Sequence, residues 1–536
     1  MTDVDYVIVG AGSAGCVLAA RLSESGQHSV LLLEAGPKDT SPWIHVPIGY
    51  GKTFTDPKVN WMYETEPDPG LSNQPVMWPR GKVLGGSSSI NAMVYIRGHQ
   101  EDFNDWERLG NRGWSYHDVL PYFKKSEQHC FGESEYHGGT GPMGVSDFRN
   151  DVHPLCNTFL SGCEQIGIEP TPDFNGKTME GSGLWQATIK NGYRVSTATS
   201  FLRPAMKRAN LEVKTKAQVT RVLFTGREAS GVEYIQGGIR HIVKARREVI
   251  LAGGAINSPQ LLELSGVGDP TRLQSMGIPV VHAASRVGEG LQDHLAVCYF
   301  YKSKVPTLND ALRPWWGKLW AGMHYALNRR GPLGMSVNQA GAFVKSRPEL
   351  ARPNLHVYFN PISYTVAKGP TRKLMQPDPW SAYLMSFNTC RPTSRGTVHI
   401  KSNNPLAAPA IHTHCLSTQE DVDDVYEGAR LMRRLSSSPA MQAVTECEYK
   451  PGPEVTSNEA ILEDFRARAS TVYHASCTCM MGTDPNASVV DPTLRVHGIG
   501  KLRVVDASVF PAVTSGNTNA PTVMVAEKAA DMILSA

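Results

Sequence analysis

Three glycines and one carboxylate near the N-terminus mark out a chemistry of phosphate and ribose. Gly10, Gly12 and Gly15 form G-x-G-x-x-G directly after the β-branched run of residues 4–9, and residues 14–22 carry an apolar stripe at helical spacing. Such a strand, turn and helix leaves backbone amides and the positive end of a helix dipole facing an anion. A pyrophosphate held by Gly10, Gly12, Ser13, Ala14 and Gly15 is the group it suits. Glu34, followed by Ala35, ends the next strand-like run at the distance where a carboxylate accepts ribose hydroxyls, and its charge disfavours a 2′-phosphate. These residues alone do not separate FAD from NAD.

A second stretch, residues 80–98 (RGKVLGGSSSINAMVYIRG), has a basic entry, two glycines and three successive hydroxyls. That composition suits a loop wrapping a second phosphate and laying backbone against a flat ring. Together with residues 254–268 (GAINSPQLLELSGVG) it resembles the paired motifs of the glucose-methanol-choline oxidoreductases. The resemblance extends to residues 471–482 (TVYHASCTCMMG) and 502–531 (LRVVDASVFPAVTSGNTNAPTVMVAEKAAD), and thins out between 303 and 465.

The resemblance implies non-covalent FAD. It places Gly10, Gly12, Gly15 and Glu34 on the ADP half, with Val219 against adenine. It places Arg80, Gly81, Gly85, Gly86, Ser87, Asn91, Ala92, Met93 and Val94 beside pyrophosphate and isoalloxazine. Ala252, Gly253, Asp506, Ala507 and the Asn517-Thr518-Asn519 turn approach from the other side, where the following helix N-terminus would stabilise a reduced anionic flavin. His474 matches the family's active-site histidine and Asn517 the second active-site position, both facing the flavin N5. Histidine suits the proton that an alcohol loses as hydride leaves its carbon.

Two departures carry expectations. Relatives that tether FAD do so through a histidine where this chain has Ile90, so the cofactor is expected to dissociate. Choline-oxidising relatives resemble residues 288–297 (GEGLQDHLAV) but carry a glutamate where this chain has Ala296. Without that carboxylate a trimethylammonium group loses a contact, which favours a neutral aliphatic or aromatic primary alcohol. Choline dehydrogenation, oxidation by O2 and a flavin-retaining cyanohydrin lyase stand as alternatives, and the acceptor is a quinone, another carrier or O2.

Placing these residues requires a scaffold larger than one core, and 536 residues supply it. The opening β-α-β unit predicts an α/β fold with a Rossmann-like FAD-binding domain. Apolar runs at residues 217–224, 248–252 and 502–505 are expected to be further strands of it. The expected division is 1–155, 195–302 and 466–536 for the FAD-binding domain, with 156–194 and 303–465 forming a discontinuous antiparallel-sheet-plus-helix substrate domain. Charge is nearly balanced, 53 basic against 50 acidic residues, with no basic block, so no nucleic-acid partner is expected. No run of about 18 apolar residues and no leader pattern occur, which points to a cytoplasmic protein. The ten cysteines follow no disulfide or metal spacing, the pair Cys477 and Cys479 included, and no metal is expected. Residues 313–330 (RPWWGKLWAGMHYALNRR) interleave aromatic and basic side chains at helical spacing. They suit a membrane-surface helix, a lid, or a face packed against the core or another subunit.

Overall fold

Val4, Val7, Ile8 and Val9 favour a pleated, buried backbone, and Asp3–Val9 is a strand at the centre of a mostly parallel sheet. The computed structural model describes residues 3–365 and 376–535; residues 1–2, 366–375 and 536 of the expected segments lie outside them. After the turn at Gly10 the chain enters the helix Ser13–Leu22, then returns as Val30–Leu33, parallel to the first strand. A Cβ on Gly15 would lie 1.8 Å from the Gly10 carbonyl oxygen, so only glycine lets this helix sit so close to the turn.

The sheet runs Leu211–Lys214, Val30–Leu33, Asp3–Val9, Ile239–Leu251. Leu502–Val504, some 250 residues later, adds in parallel beside Val249–Leu251. The other half of Ile239–Leu251 pairs antiparallel with Glu228–Gln236, which forms a hairpin with Ala217–Thr225. All the expected strand runs are therefore present, and this one sheet draws its strands from residues 3–33, 211–251 and 502–504.

The second sheet is antiparallel, in the order Thr445–Lys450, Leu295–Ser303, Ala382–Thr389, Leu355–Asn360, Ala340–Val344, Gly181–Leu184. Side chains alternate across it. Val297, Tyr299, Val357, Phe359, Met385 and Phe387 pack into a core with Phe159 of Leu155–Gln165 and with Val425 and Met432 of Gln419–Ser436. Ala296, Cys298, Phe300, Tyr358, Asn360, Leu384 and Ser386, on the opposite face, line a large cavity between the two sheets. Leu295–Ser303 falls inside the 195–302 segment expected for the FAD-binding domain, yet it is hydrogen-bonded into this second sheet. So is Ser470–Thr471, from the expected 466–536 segment.

Residues 313–330 contain the helix Trp315–Asn328. No helix among the described residues is long and apolar enough to cross a membrane. All ten cysteines are free thiols, with Cys477 and Cys479 fully buried.

Candidate active site

The cavity has a volume of about 830 Å³, towards the upper end of the roughly 300–1,000 Å³ usual for ligand pockets. Its two ends differ in chemistry. At one end Gly10, Gly12, Ser13 and Ala14 line it. The helix Ser13–Leu22 starts there with no side-chain cap and no acidic residue in its first turn. The helix Asn519–Leu534 begins the same way, with Thr518, Asn519 and Thr522 on the cavity wall. Ser13 Oγ donates to Asn519 Oδ1 at 2.8 Å, which ties the two starts together across 506 residues. Two uncapped N-termini facing one cavity form a cradle for an anion with more than one negative charge.

Glu34 accepts from the Ala11 amide at 2.8 Å through one oxygen and from the Gly36 amide at 2.7 Å through the other. Burial pushes its carboxyl up to about 7 against the pull of these two bonds. The carboxylate thus fixes the loops on either side of the strand end while still lining the cavity, with Ala35, Ala217 and Val219 as neighbouring wall.

Residues 80–94 form the long side. A Cβ on Gly86 would meet Gly12 Cα at 2.7 Å, so this loop lies directly on the glycine turn. Met93 is held at φ 66°, in the left-handed region, and its amide donates to Asn91 Oδ1 at 3.1 Å. Arg194, itself buried, donates to the same oxygen at 2.7 Å. Asn91 is therefore locked, and it holds a strained residue on the cavity wall.

At the other end stands a chain of hydrogen bonds whose direction the chemistry of its ends determines. His294 Nε2 lies 2.9 Å from the Cys390 carbonyl oxygen, which can only accept, so Nε2 carries the proton and Nδ1 is bare in the neutral ring. His474 Nδ1 lies 2.8 Å from that bare Nδ1 and must be the donor. The proton of neutral His474 is thereby fixed on Nδ1, leaving Nε2 as a lone pair 3.0 Å from the Asn517 amide nitrogen, which donates to it. Asn517 Oδ1 in turn accepts from the Tyr358 hydroxyl at 3.3 Å. Every member is satisfied in one arrangement only.

Burial, reinforced by the neighbouring His294, His356 and Arg80, holds the His474 ring well below its ordinary pKa, and burial lowers His294 to about 4. Both rings are neutral at pH 7. Asp293 clamps their backbones: one carboxylate oxygen accepts from the His474 amide at 2.6 Å and the His294 amide at 2.8 Å, and the other accepts from Thr471. Burial raises Asp293 to about 6, partly offset by these bonds and by Arg80. Arg80 donates to the Tyr473 carbonyl, beside His474.

The residues expected from sequence therefore meet around one cavity: of the whole set, only Gly15 and Gly85 are not on its wall. Gly15 acts through helix packing, and Gly85 turns the chain at φ 87°. Asp506 lines the cavity with both oxygens engaged by the protein: Gly254 N and Ser258 Oγ on one, Ser508 N and Oγ on the other. It ties the strand Leu502–Val504 to the helix Gly254–Leu264. The sequence reading assigned no role to Asp293, His294 or Tyr358. Asp293 and His294 stand side by side in the quoted 288–297 stretch, and an Asp-His pair there was the available signal.

One other cluster, Glu127, His129 and His137, has metal-ligand spacing among the described residues. Arg97 Nη2 sits 2.7 Å from Glu127, and both nitrogens of His137 are taken, by Glu127 and Asp173. It is an ion-pair network that already contains its cation.

A Rossmann-type sheet, a cavity with two open helix starts, and a buried neutral histidine at its far end define a dinucleotide-dependent oxidoreductase. The GMC oxidoreductase family matches residues 4–296 and 392–526, and the chain belongs to that family. Mitochondrial choline dehydrogenase of Mus musculus is 46% identical over 541 residues, covering 99% of this chain and 89% of that protein. The alcohol dehydrogenase (acceptor) of Pseudomonas putida is 44% identical over 534 residues, covering 99% and 95%. Among solved structures, pyridoxine 4-oxidase from Mesorbium loti superimposes with a TM-score of 0.88 at 30% identity, over 98% of each chain. The protein is an FAD-dependent oxidoreductase acting on CH–OH donors.

Proposed function

We propose that the protein oxidises a neutral primary alcohol to the aldehyde, with His474 as base and Asn517 as the group that orients the hydroxyl. The observation that carries this is the bare, neutral Nε2 of His474, aimed at Asn517 on the cavity wall with its tautomer fixed from behind by His294. An alcohol bound there donates its hydroxyl proton to Nε2 and accepts from the Asn517 amide, so the O–H bond breaks as the carbonyl forms. FAD, when bound, supplies the acceptor for the hydride that leaves the carbinol carbon. Gly10, Gly12, Ser13, Ala14, Thr518 and Asn519 would hold its pyrophosphate, Glu34 and Val219 its adenosine, and the loop from Arg80 to Val94 its ring system. Ile90, buried with Ile44, Val59 and Val83, offers no nucleophile for a covalent tether, so we infer that FAD dissociates on denaturation.

The three central strands of the second sheet put no charge on the cavity, through Ala296, Cys298, Phe300, Tyr358, Asn360, Leu384 and Ser386, while Lys450 of the edge strand also reaches its wall. Ala296 sits at the position where a cation-binding carboxylate would stand, which supports an uncharged substrate. Choline is the second reading, favoured by the name of the Mus musculus relative. We assign reoxidation to a quinone or another carrier, in keeping with the acceptor-dependent relative. A peripheral membrane placement through the segment 313–330 belongs to the same reading, since medium-chain alcohols and quinones both partition into lipid. Anaerobic mixing of the holoenzyme with benzyl alcohol, a medium-chain alkanol and choline tests the whole. Bleaching of the visible flavin band by the first two, with slow recovery in air, is the expected result. Bleaching by choline alone would replace the neutral alcohol with choline, and no bleaching by any would remove the dehydrogenase reading.

A further inference from the structure

The helix Trp315–Asn328 is amphipathic in the wrong direction for a core element. Gly317, Ala321 and Tyr325, four residues apart, face inward and are buried. Trp316, Leu319, Trp320, Met323 and Leu327 follow the i, i+3, i+4, i+7, i+11 spacing of the opposite face and stand 61%, 54%, 53%, 51% and 83% exposed. Trp315, at the helix start, is 75% exposed. A contiguous apolar face of this kind on a soluble surface marks an interaction site.

The charges around it identify the partner. Arg313, Lys318, Arg329 and Arg330 are all exposed, and no Asp or Glu occurs between residues 311 and 348. At the N-terminal end Arg313 donates to the Pro379 carbonyl, beside the half-exposed Trp380. At the C-terminal end the Arg329 guanidinium lies 4.9 Å from the ring centre of Tyr193, which is also exposed. Aromatic and aliphatic side chains flanked by four cations, with Asp310 held by Ser381 at the Trp380 end, match a surface that is apolar below and anionic above, with tryptophan at the level of the headgroups.

Resting on the peripheral placement proposed above, we propose that this face is a docking surface for an anionic lipid bilayer, with the helix lying in the interface plane. Ala321 packs into one apolar cluster with Leu308, Leu312, Tyr50 and Met93, and Tyr50 and Met93 are part of the cavity wall. The inner side of the docking helix thus belongs to the same apolar cluster as two residues of the cavity wall.

Co-sedimentation of the FAD-loaded protein with vesicles tests this. One set is pure phosphatidylcholine and the other a phosphatidylcholine–phosphatidylglycerol mixture, both at low salt. The expected result is strong partitioning to the mixture, a blue-shifted tryptophan emission, and weak binding to phosphatidylcholine. Trp316→Ser/Trp320→Ser should lower partitioning tenfold or more. Lys318→Glu/Arg330→Glu should lower it about 25-fold or more, at about fivefold for each basic residue removed. Both variants should keep wild-type FAD content and activity towards a water-soluble alcohol. Equal binding to both vesicle types would overturn the anionic-lipid assignment while leaving peripheral placement standing. No binding to either would overturn both. Light scattering without lipid covers the remaining occupant: a wild-type dimer that both variants dissociate would assign the face to a second copy and overturn the proposal.

Discussion

Replacing His294 by leucine is expected to slow flavin reduction by roughly 5- to 150-fold while leaving FAD bound. The substitution removes the acceptor of the His474 Nδ1 proton in a site where both rings are buried. A buried N–H left without a partner costs about 1–3 kcal/mol, and each 1.36 kcal/mol is tenfold in rate or population. The ring escapes that cost by moving its proton to Nε2. It then presents N–H to the Asn517 amide, donor against donor, and Asn517 must turn and abandon its bond from Tyr358. The lone pair that should receive the alcohol proton is lost in the same step. His294→Asn is the rescue: Oδ1 can take the place of the bare Nδ1 and the amide NH2 can donate to the Cys390 carbonyl, so most of the rate should return. The assay is anaerobic stopped-flow reduction at saturating alcohol, with FAD content measured for each variant. A fully loaded His294→Leu protein reduced at the wild-type rate would refute the assignment of the tautomer, and so would an asparagine variant as slow as the leucine one.

Glu34→Ala leaves the Ala11 and Gly36 amides without their shared acceptor and removes a ribose partner. FAD affinity is expected to fall about tenfold or more by equilibrium dialysis, at about 1.5–3 kcal/mol for a hydrogen bond to a charged group; unchanged affinity would show that the turn holds without it. Ala296→Glu puts a carboxylate beside Cys298 and Phe300 on the cavity wall, so kcat/KM for a neutral alcohol should drop at least tenfold and that for choline rise, and a variant with unaltered preference would remove position 296 from specificity. Each buried histidine should make the fold more sensitive to acid. His294, at about 4, and His356 and His474, well below their ordinary range, bind protons only on unfolding, so their stabilisation is complete above about pH 6.5 and is lost as pH falls. Asp293, raised to about 6, and Glu34, raised to about 7, work in the opposite direction below those pH values. Each histidine contributes an uptake of about one proton on unfolding, or roughly 1.4 kcal/mol per pH unit near pH 5. A thermal midpoint that changes between pH 7 and 5 by the same amount in His294→Leu as in the wild type would contradict the burial of His294.

The parts of the site that were legible in the sequence are those whose function is local. A glycine turn, an uncapped helix start and a strand-end carboxylate act through backbone geometry within a few residues, so Gly10 to Gly15 and Glu34 announce themselves by spacing, while the residues of the 80–94 loop were assigned through the family resemblance. His474 and Asn517 were legible through family resemblance, because nothing in a single histidine among 17 distinguishes a base from a packed ring. His294 was not legible. Its role consists of relations to a carbonyl 96 residues away and a ring 180 residues away, and those exist only once the sheets have closed on each other.

The misplaced strand has a different cause. Leu295–Ser303 reads LAVCYFYKS, with almost no polar alternation, although its side chains do alternate between two environments. Alternation is visible in sequence when one face of a strand meets core and the other meets water. Here one face meets core and the other meets the cavity through Ala296, Cys298 and Phe300, so both faces carry mainly apolar residues and the period-2 signal vanishes. The same physics explains why the helix Trp315–Asn328 was read three ways. Its apolar spacing is clear, but spacing says only that one face avoids water, not whether protein or lipid covers it. The side turned away from the protein carries the tryptophans, and Arg313, Lys318, Arg329 and Arg330 flank it; that pairing, which becomes visible once burial is assigned residue by residue, is what favours the anionic bilayer in our proposal.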